Sequence, residues 1–306
     1  MDLTDKRILL ELDKDCRASY ENLGRILGIS ANAVKKRVDK LISSGVIEEF
    51  SVVLRQAMTG ADYLIAEVQT DGNEDEETFA NTLGANEMIN QVGLIADPTG
   101  RSYLVHAEYV GTQGLMKLGR FLRALENVTQ VDLHTLLIGQ GKRMDLTKLH
   151  LRVLRQLMND ARMQIGEIAE RSGLTARRVR KAIQELQESE AFWFATRWNL
   201  SLGESTQFYV RINRDTQVMD HNEVDEWMRG QFPLEYWYSY VSAIEPVIFA
   251  KFVTEHFRQA EPISRVIKAA PFAVSTNTMI CYPVRKYPRL GRIKLEQMLA
   301  DAGLWP

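Results

Sequence analysis

Asn32, Lys35, Lys36 and Lys40 fall on one face of a short helical pattern, turned away from apolar Val34, Val38, Leu41 and Ile42. A second pattern, 145 residues later, offers Arg177, Arg178, Arg180 and Lys181 in the same way. Ammonium and guanidinium groups on one helix face pair with phosphate oxygens, and arginine also forks onto O6 and N7 of guanine. Ser30 and Thr175 precede the two patterns, where a side-chain hydroxyl caps a helix. The chemistry these residue types support is recognition of double-stranded DNA. The second copy, richer in arginine, is expected to carry more of the base reading.

The elements that must hold these side chains are written twice. At a shift of 145, Leu12 meets Leu157, Asp15 meets Asp160, Arg17 meets Arg162, Gly28 meets Gly173, Val34 meets Val179 and Leu41 meets Leu186. Each copy reads as three helices. In the first copy these run from Leu3 to about Asp13, from Tyr20 to Leu27 with Leu23, Ile26 and Leu27 on one face, and from Ala31 to Ser43. Gly28 stands where a left-handed residue closes the second helix. "VIEEFSVVL" then alternates as a hairpin or wing strand does. Two short helices joined by a glycine turn make a helix-turn-helix, whose second helix enters the major groove.

Charge follows the repeat. Net formal charge is +1 over residues 1–55, −8 over 56–141, +5 over 142–200 and zero over 201–306. The DNA-reading segments are therefore more basic than the segment between them. No apolar run reaches the length of a membrane span, and the first residues lack the pattern of a signal peptide. With two widely spaced cysteines, Cys16 and Cys281, expected as reduced thiols, a cytoplasmic protein without a membrane partner is expected.

The first copy resembles the DNA-binding half of the leucine-responsive regulatory protein (Lrp/AsnC) family. The residues that carry the resemblance are Asp5, Ile8 and Leu9, Asp15 and Arg17, Leu27, Gly28 and Ser30, Val34, Arg37, Val38 and Leu41, then Gly45 to Ile47. The second copy departs at Glu190, where the family has glycine, and at "AFWFATRW", which leaves its wing open. The resemblance implies a small βαββαβ domain after each winged helix, and both spacers read that way. The expected fold class is α+β, with two winged helix-turn-helix domains alternating with two βαββαβ ferredoxin-like domains. The expected boundaries are 1–55 and 144–200 for the winged helices, 60–140 and 205–285 for the βαββαβ domains, and 286–306 for a tail with a short helix from Leu290 to Ala302.

In that family the βαββαβ domain pairs with its copy in a second subunit. A chain carrying both domains is expected to build the pair internally, as a pseudo-dimer reading two unlike half-sites, and to assemble further as a homodimer or higher homo-oligomer. The resemblance also implies a small-molecule effector, typically an amino acid, at the "PTGRSY" turn through Thr99, Gly100, Arg101, Ser102 and Tyr103. No cofactor is expected. Two rival functions remain. Siroheme decarboxylases share the fold, but His106, His134, His150, His221 and His256 show no metal-ligand spacing, and His106 and His134 read as satisfied sheet-face histidines. An architectural protein would bind DNA with little sequence choice and a steep salt dependence.

Overall fold

Polar side chains one position ahead of apolar periods start the first helices. Asp2 caps α1 (Leu3–Lys14) in a reciprocal box with Asp5, Ser19 caps α2 (Tyr20–Leu27) and Ser30 caps α3 (Ala31–Ser43). Gly28 takes φ 71°, a left-handed conformation that ends α2 and turns the chain into α3. The strand β1 (Ile47–Leu54) and the single turn α4 (Gln56–Thr59) complete this segment. This is a computed structural model in which residues 1–97 and 100–305 are described, Asp97, Gly100 and Arg101 through their backbone alone.

The first βαββαβ domain comprises β2 (Asp62–Thr70), α5 (Glu76–Gly84), β3 (Ile89–Asp97), β4 (Gly100–Tyr109), α6 (Gly111–Arg123) and β5 (Val128–Thr135). The helix-turn-helix returns as α7 (Lys148–Leu157), α8 (Ile165–Ser172), α9 (Ala176–Glu188) and β6 (Phe192–Trp198). The second βαββαβ domain follows as β7 (Thr206–Arg214), α10 (His221–Gln231), β8 (Tyr236–Val241), β9 (Val247–Thr254), α11 (Ala260–Lys268) and β10 (Ala273–Cys281). A two-residue strand β11 (Arg285–Lys286) and α12 (Leu290–Asp301) close the chain. No helix among the described residues is long and apolar enough to cross a membrane.

The chain forms two compact units. One comprises Met1–Gly60, Gly139–Gly203 and Gly291–Pro306, the other Ala61–Ile138 and Glu204–Leu290. In the first unit β1 forms no hairpin of its own. It pairs antiparallel with β6, the matching strand of the other copy, with Ser51 opposite Ala195. The contacts around this ribbon are reciprocal. Arg17 donates to the carbonyls of Ala161 and Met163, and Arg162 donates to those of Cys16 and Ala18. The amide of Cys16 donates to Phe194 and that of Ala161 to Phe50, both at 2.8 Å. Equivalent positions of the two copies thus exchange equivalent contacts. Glu190 takes φ 56°, standing in the left-handed position that Gly45 holds with φ 76° in the first copy.

The second unit holds one continuous strand order, β5-β2-β4-β3-β10-β7-β9-β8. Each half repeats the order fourth, first, third, second, as the βαββαβ connectivity dictates. β3 joins β10 through Ala96 with Ile280 and Ile95 with Cys281, and Leu136 bridges Ser242 at the other end. The helices of each half cover one sheet face. The opposite faces share a core of Ile65, Ile95, Leu104, Leu136, Tyr209, Val247, Phe249 and Met279. Ile65 and Phe249 are fully buried there, each a stabilising contribution of ~1.5–3 kcal/mol. Both cysteines are free.

Candidate nucleic-acid interface

α3 is held by its apolar side. Val34 and Val38 are fully buried, and Arg37 fastens the helix to the start of α1 through Asp2 at 2.7 Å and Asp5 at 2.8 Å. Asn32, Lys35, Lys36 and Lys40 are all exposed, and so is Ser30, whose Oγ accepts from the Ala33 amide at 3.2 Å. Ile42, expected inward, is 45% exposed, and Ile26 of α2 is 43% exposed. Each helical step rotates a side chain by about 100°, so with Leu41 pointing at the core Ile42 is carried off the stripe.

α9 presents the equivalent face. Val179, Ala182, Ile183 and Leu186 are buried, while Thr175, Arg177, Arg178, Arg180 and Lys181 are exposed. Thr175 caps the helix by accepting from the Arg178 amide at 3.4 Å. Lys181 lies 3.5 Å from Glu185 along the helix. Among the described residues, Lys35, Lys36, Lys40, Arg177, Arg178 and Arg180 form no ion pair, which leaves six cations without a protein counter-charge. The fastening differs between copies. Ala182 replaces the Arg37 position, and His150 of α7 instead bonds Glu185 at 2.8 Å. That hydrogen bond holds the Glu185 carboxyl below its ordinary pKa.

The residues expected to hold an effector do not share one surface. Thr99 lies outside the described residues. Gly100 and Arg101 begin β4, paired with Asp97 and Ala96. Ser102 and Tyr103 are buried on opposite faces of the strand. Tyr103 belongs to the core beneath the helices, where its hydroxyl donates to Glu74 at 3.0 Å and its ring meets Phe79.

The two sheet histidines differ. His134 is satisfied, by Glu67 at 3.1 Å on Nε2 and by Glu245 on Nδ1. Burial opposes its charged form, but the two carboxylates outweigh burial and raise its pKa. His106 corrects the expectation, because its Nε2 is buried without a hydrogen-bond partner. Burial first, then Lys251 and Arg289, drive its pKa down to about 3. Among the described residues no group of three or more His, Cys, Asp or Glu is placed to hold a metal ion.

Residues 1–42 match the model of the AsnC-type helix-turn-helix domain, and residues 146–190 match that of a winged helix-turn-helix DNA-binding family. The HTH-type transcriptional regulator LrpA of Pyrococcus abyssi is 40% identical over 96 residues, which are 31% of this chain and 67% of that protein. The chain belongs to the Lrp/AsnC family. An HTH-type transcriptional regulator of Mycobacterium tuberculosis is 43% identical over 60 residues, 20% of this chain, and the match spans only 40% of that relative's length. The crystal structure of the siroheme decarboxylase NirDL with an iron-uroporphyrin III analogue superposes with a TM-score of 0.59 at 12% identity, covering 98% of this chain and 99% of that one. At that identity the likeness concerns the fold, and it extends over both halves of this Lrp/AsnC chain.

Two polar groupings in the second unit escape a reading of separate segments. Glu67 and Arg211 pair at 2.8 Å, and a chamber between the two halves of the sheet gathers His106, Lys251 and Tyr209. Their signal is positional. Aligning "DYLIAEVQT" with "TQFYVRINR" at a shift of 144 puts Glu67 on Arg211.

Proposed function

We propose that the chain is a sequence-specific DNA-binding transcriptional regulator whose duplicated halves replace the two subunits of a dimer. The observation that carries this reading is the pair of exposed helix faces, α3 and α9, bearing six cations with no counter-charge among the described residues and held in one unit by reciprocal contacts. Helix faces of this kind read base edges in the major groove while neighbouring cations neutralise phosphates. Because α3 offers lysine and asparagine where α9 offers arginine, the two half-sites differ in sequence. An amino acid effector near residues 99–103 and further assembly into homo-oligomers belong to the same reading, supported by the family resemblance.

The decarboxylase alternative finds less support. It rests on a likeness of fold at 12% identity, whereas the relatives matched at 40% and 43% identity are HTH-type transcriptional regulators. The deciding experiment is a binding selection on genomic DNA with the purified chain, its solution mass measured in the same buffer. A few enriched sites with unlike half-sites bear the proposal out. Salt-sensitive binding to any duplex without enrichment moves the assignment to an architectural protein. No DNA binding defeats both readings.

A further inference from the structure

His106 and Lys251 occupy one position twice. His106 stands opposite Ile65 across the β2–β4 pair, and Lys251 stands opposite Tyr209 across the β7–β9 pair. The shift between Ile65 and Tyr209 is that between β2 and β7, so the two basic side chains are counterparts in the duplicated domains. Both line the same small chamber, with Tyr209, Cys281 and the amide side chains Gln91 and Gln207. Among the described residues no aspartate or glutamate lines it.

The groups there are unusually short of partners. Lys251 is 6% exposed and forms no ion pair among the described residues. Its ammonium lies 5.3 Å from the Tyr209 ring centre and 6.0 Å from that of Tyr238. Among the described residues the buried Nε2 of His106 has no hydrogen-bond partner, and the Tyr209 hydroxyl, near that of Tyr238, makes no hydrogen bond of ordinary geometry. Cys281 brings no counter-charge at neutral pH, because burial pushes its thiol up to about 11. Burial first, and also the nearby positive charge of Lys286, push the Lys251 pKa down, as expected of an ammonium without a counter-charge. Arg289, felt by His106, donates to the Tyr63 hydroxyl at 3.3 Å and is held charged by Tyr63 and then by Glu108.

Buried polar atoms are nearly always paired with protein or ordered ligand, and a buried cation without a partner costs several kcal/mol. A water molecule in the chamber satisfies the imidazole and the phenol but leaves the ammonium uncompensated. An anion satisfies all three. We infer that the chamber between the two halves of the sheet binds a small monoanion, a halide or a carboxylate of formate size, between Lys251, His106 and Tyr209. The chamber volume sets that size limit. The inference does not rest on DNA binding, since every residue it uses lies in the unit formed by Ala61–Ile138 and Glu204–Leu290.

The test titrates the full chain with sodium formate, sodium acetate and sodium chloride, ionic strength being balanced with gluconate, whose anion is too large to enter. Intrinsic tyrosine and tryptophan fluorescence is read together with melting temperature. The expected result is a saturable response to at least one probe, weakened tenfold or more by Lys251→Met. Without anion, the same variant melts no lower than wild type, because an unpaired buried cation has been removed. Response to formate or acetate alone assigns an organic acid, and response to chloride alone an inorganic ion. A non-saturating response, or one equal in wild type and Lys251→Met, overturns the inference. Should Lys251→Met lose the folded circular dichroism spectrum, His106→Gln decides by the same criteria. Arg177→Ala, outside this unit, must leave the titration unchanged, so failure here is distinct from failure of the DNA reading.

Discussion

Glu67 and Arg211 are the same position of two duplicated strands, and they form an ion pair with each other, Arg211 Nε to Glu67 Oε1 at 2.8 Å. In a dimer of identical chains such a position meets its own copy, glutamate against glutamate or arginine against arginine. Duplication within one chain allows the two copies to diverge into opposite charges. Glu67→Arg is therefore expected to destabilise by ~3 kcal/mol, the lower end for breaking a buried pair, since the Arg211 side chain is 24% exposed. The double exchange Glu67→Arg with Arg211→Glu is expected to recover part of this loss, because His134 still lacks its Glu67 acceptor. Calorimetric unfolding of the four proteins measures the coupling. A double variant no better than the sum of the singles rejects it.

The sheet histidines predict pH dependences of opposite sign. His134 has a raised pKa in the fold, so its contribution is fully present below the unfolded value of about 6.5 and is lost as pH rises through the folded value. His106 is held down to about 3. Between there and about 6.5 the unfolded chain takes up a proton that the fold refuses, so stability falls as pH falls, by up to ~1.4 kcal/mol per unit. Melting temperature of His134→Gln relative to wild type should rise from pH 6 to 8. That of His106→Gln relative to wild type should rise from pH 6.5 to 5. Parallel curves for wild type and variants would remove these residues as the source.

The helices of the duplicated readers were legible because their signals are local. Ser19, Ser30 and Thr175 announce caps, Gly28 and Gly173 announce left-handed stops, and the observed ends of α2 and α3 fall where these residues put them. α6 starts at Gly111, ahead of its first apolar residue Leu115, and its first turn, "GTQG", carries no apolar period to read. The partner of β1 was not legible, since alternation states which face a strand buries and not which strand lies beside it. The same limit hid the chamber. His106 and Lys251 each look like an ordinary strand residue until the sheet order brings them together.

Glu190 offers a test of backbone strain. Its φ of 56° is a conformation glycine adopts freely and glutamate does not. Its side chain pairs with Lys142 at 3.0 Å, but both groups are more than half exposed and such a pair contributes little. Glu190→Gly is expected to stabilise the chain by ~1 kcal/mol, the cost of one left-handed residue. Chemical denaturation resolves that difference. A loss of stability instead would mean that the Lys142 contact outweighs the strain.

The unlike recognition helices predict unlike losses. Lys35→Ala with Lys36→Ala is expected to weaken binding to cognate and scrambled duplexes alike. The slope of log affinity against log salt should fall by about 0.9 for each phosphate contact removed. Arg177→Ala with Arg178→Ala is expected to act on sequence preference, since each bidentate arginine–guanine pair is worth ~1–3 kcal/mol of discrimination. Its effect should be confined to one half-site, because α9 has arginines where α3 has lysines. Fluorescence anisotropy over a salt series, with duplexes altered in one half-site at a time, separates the two. If the arginine variant loses affinity for both half-sites equally and keeps its discrimination, α9 is a phosphate clamp and base reading lies elsewhere.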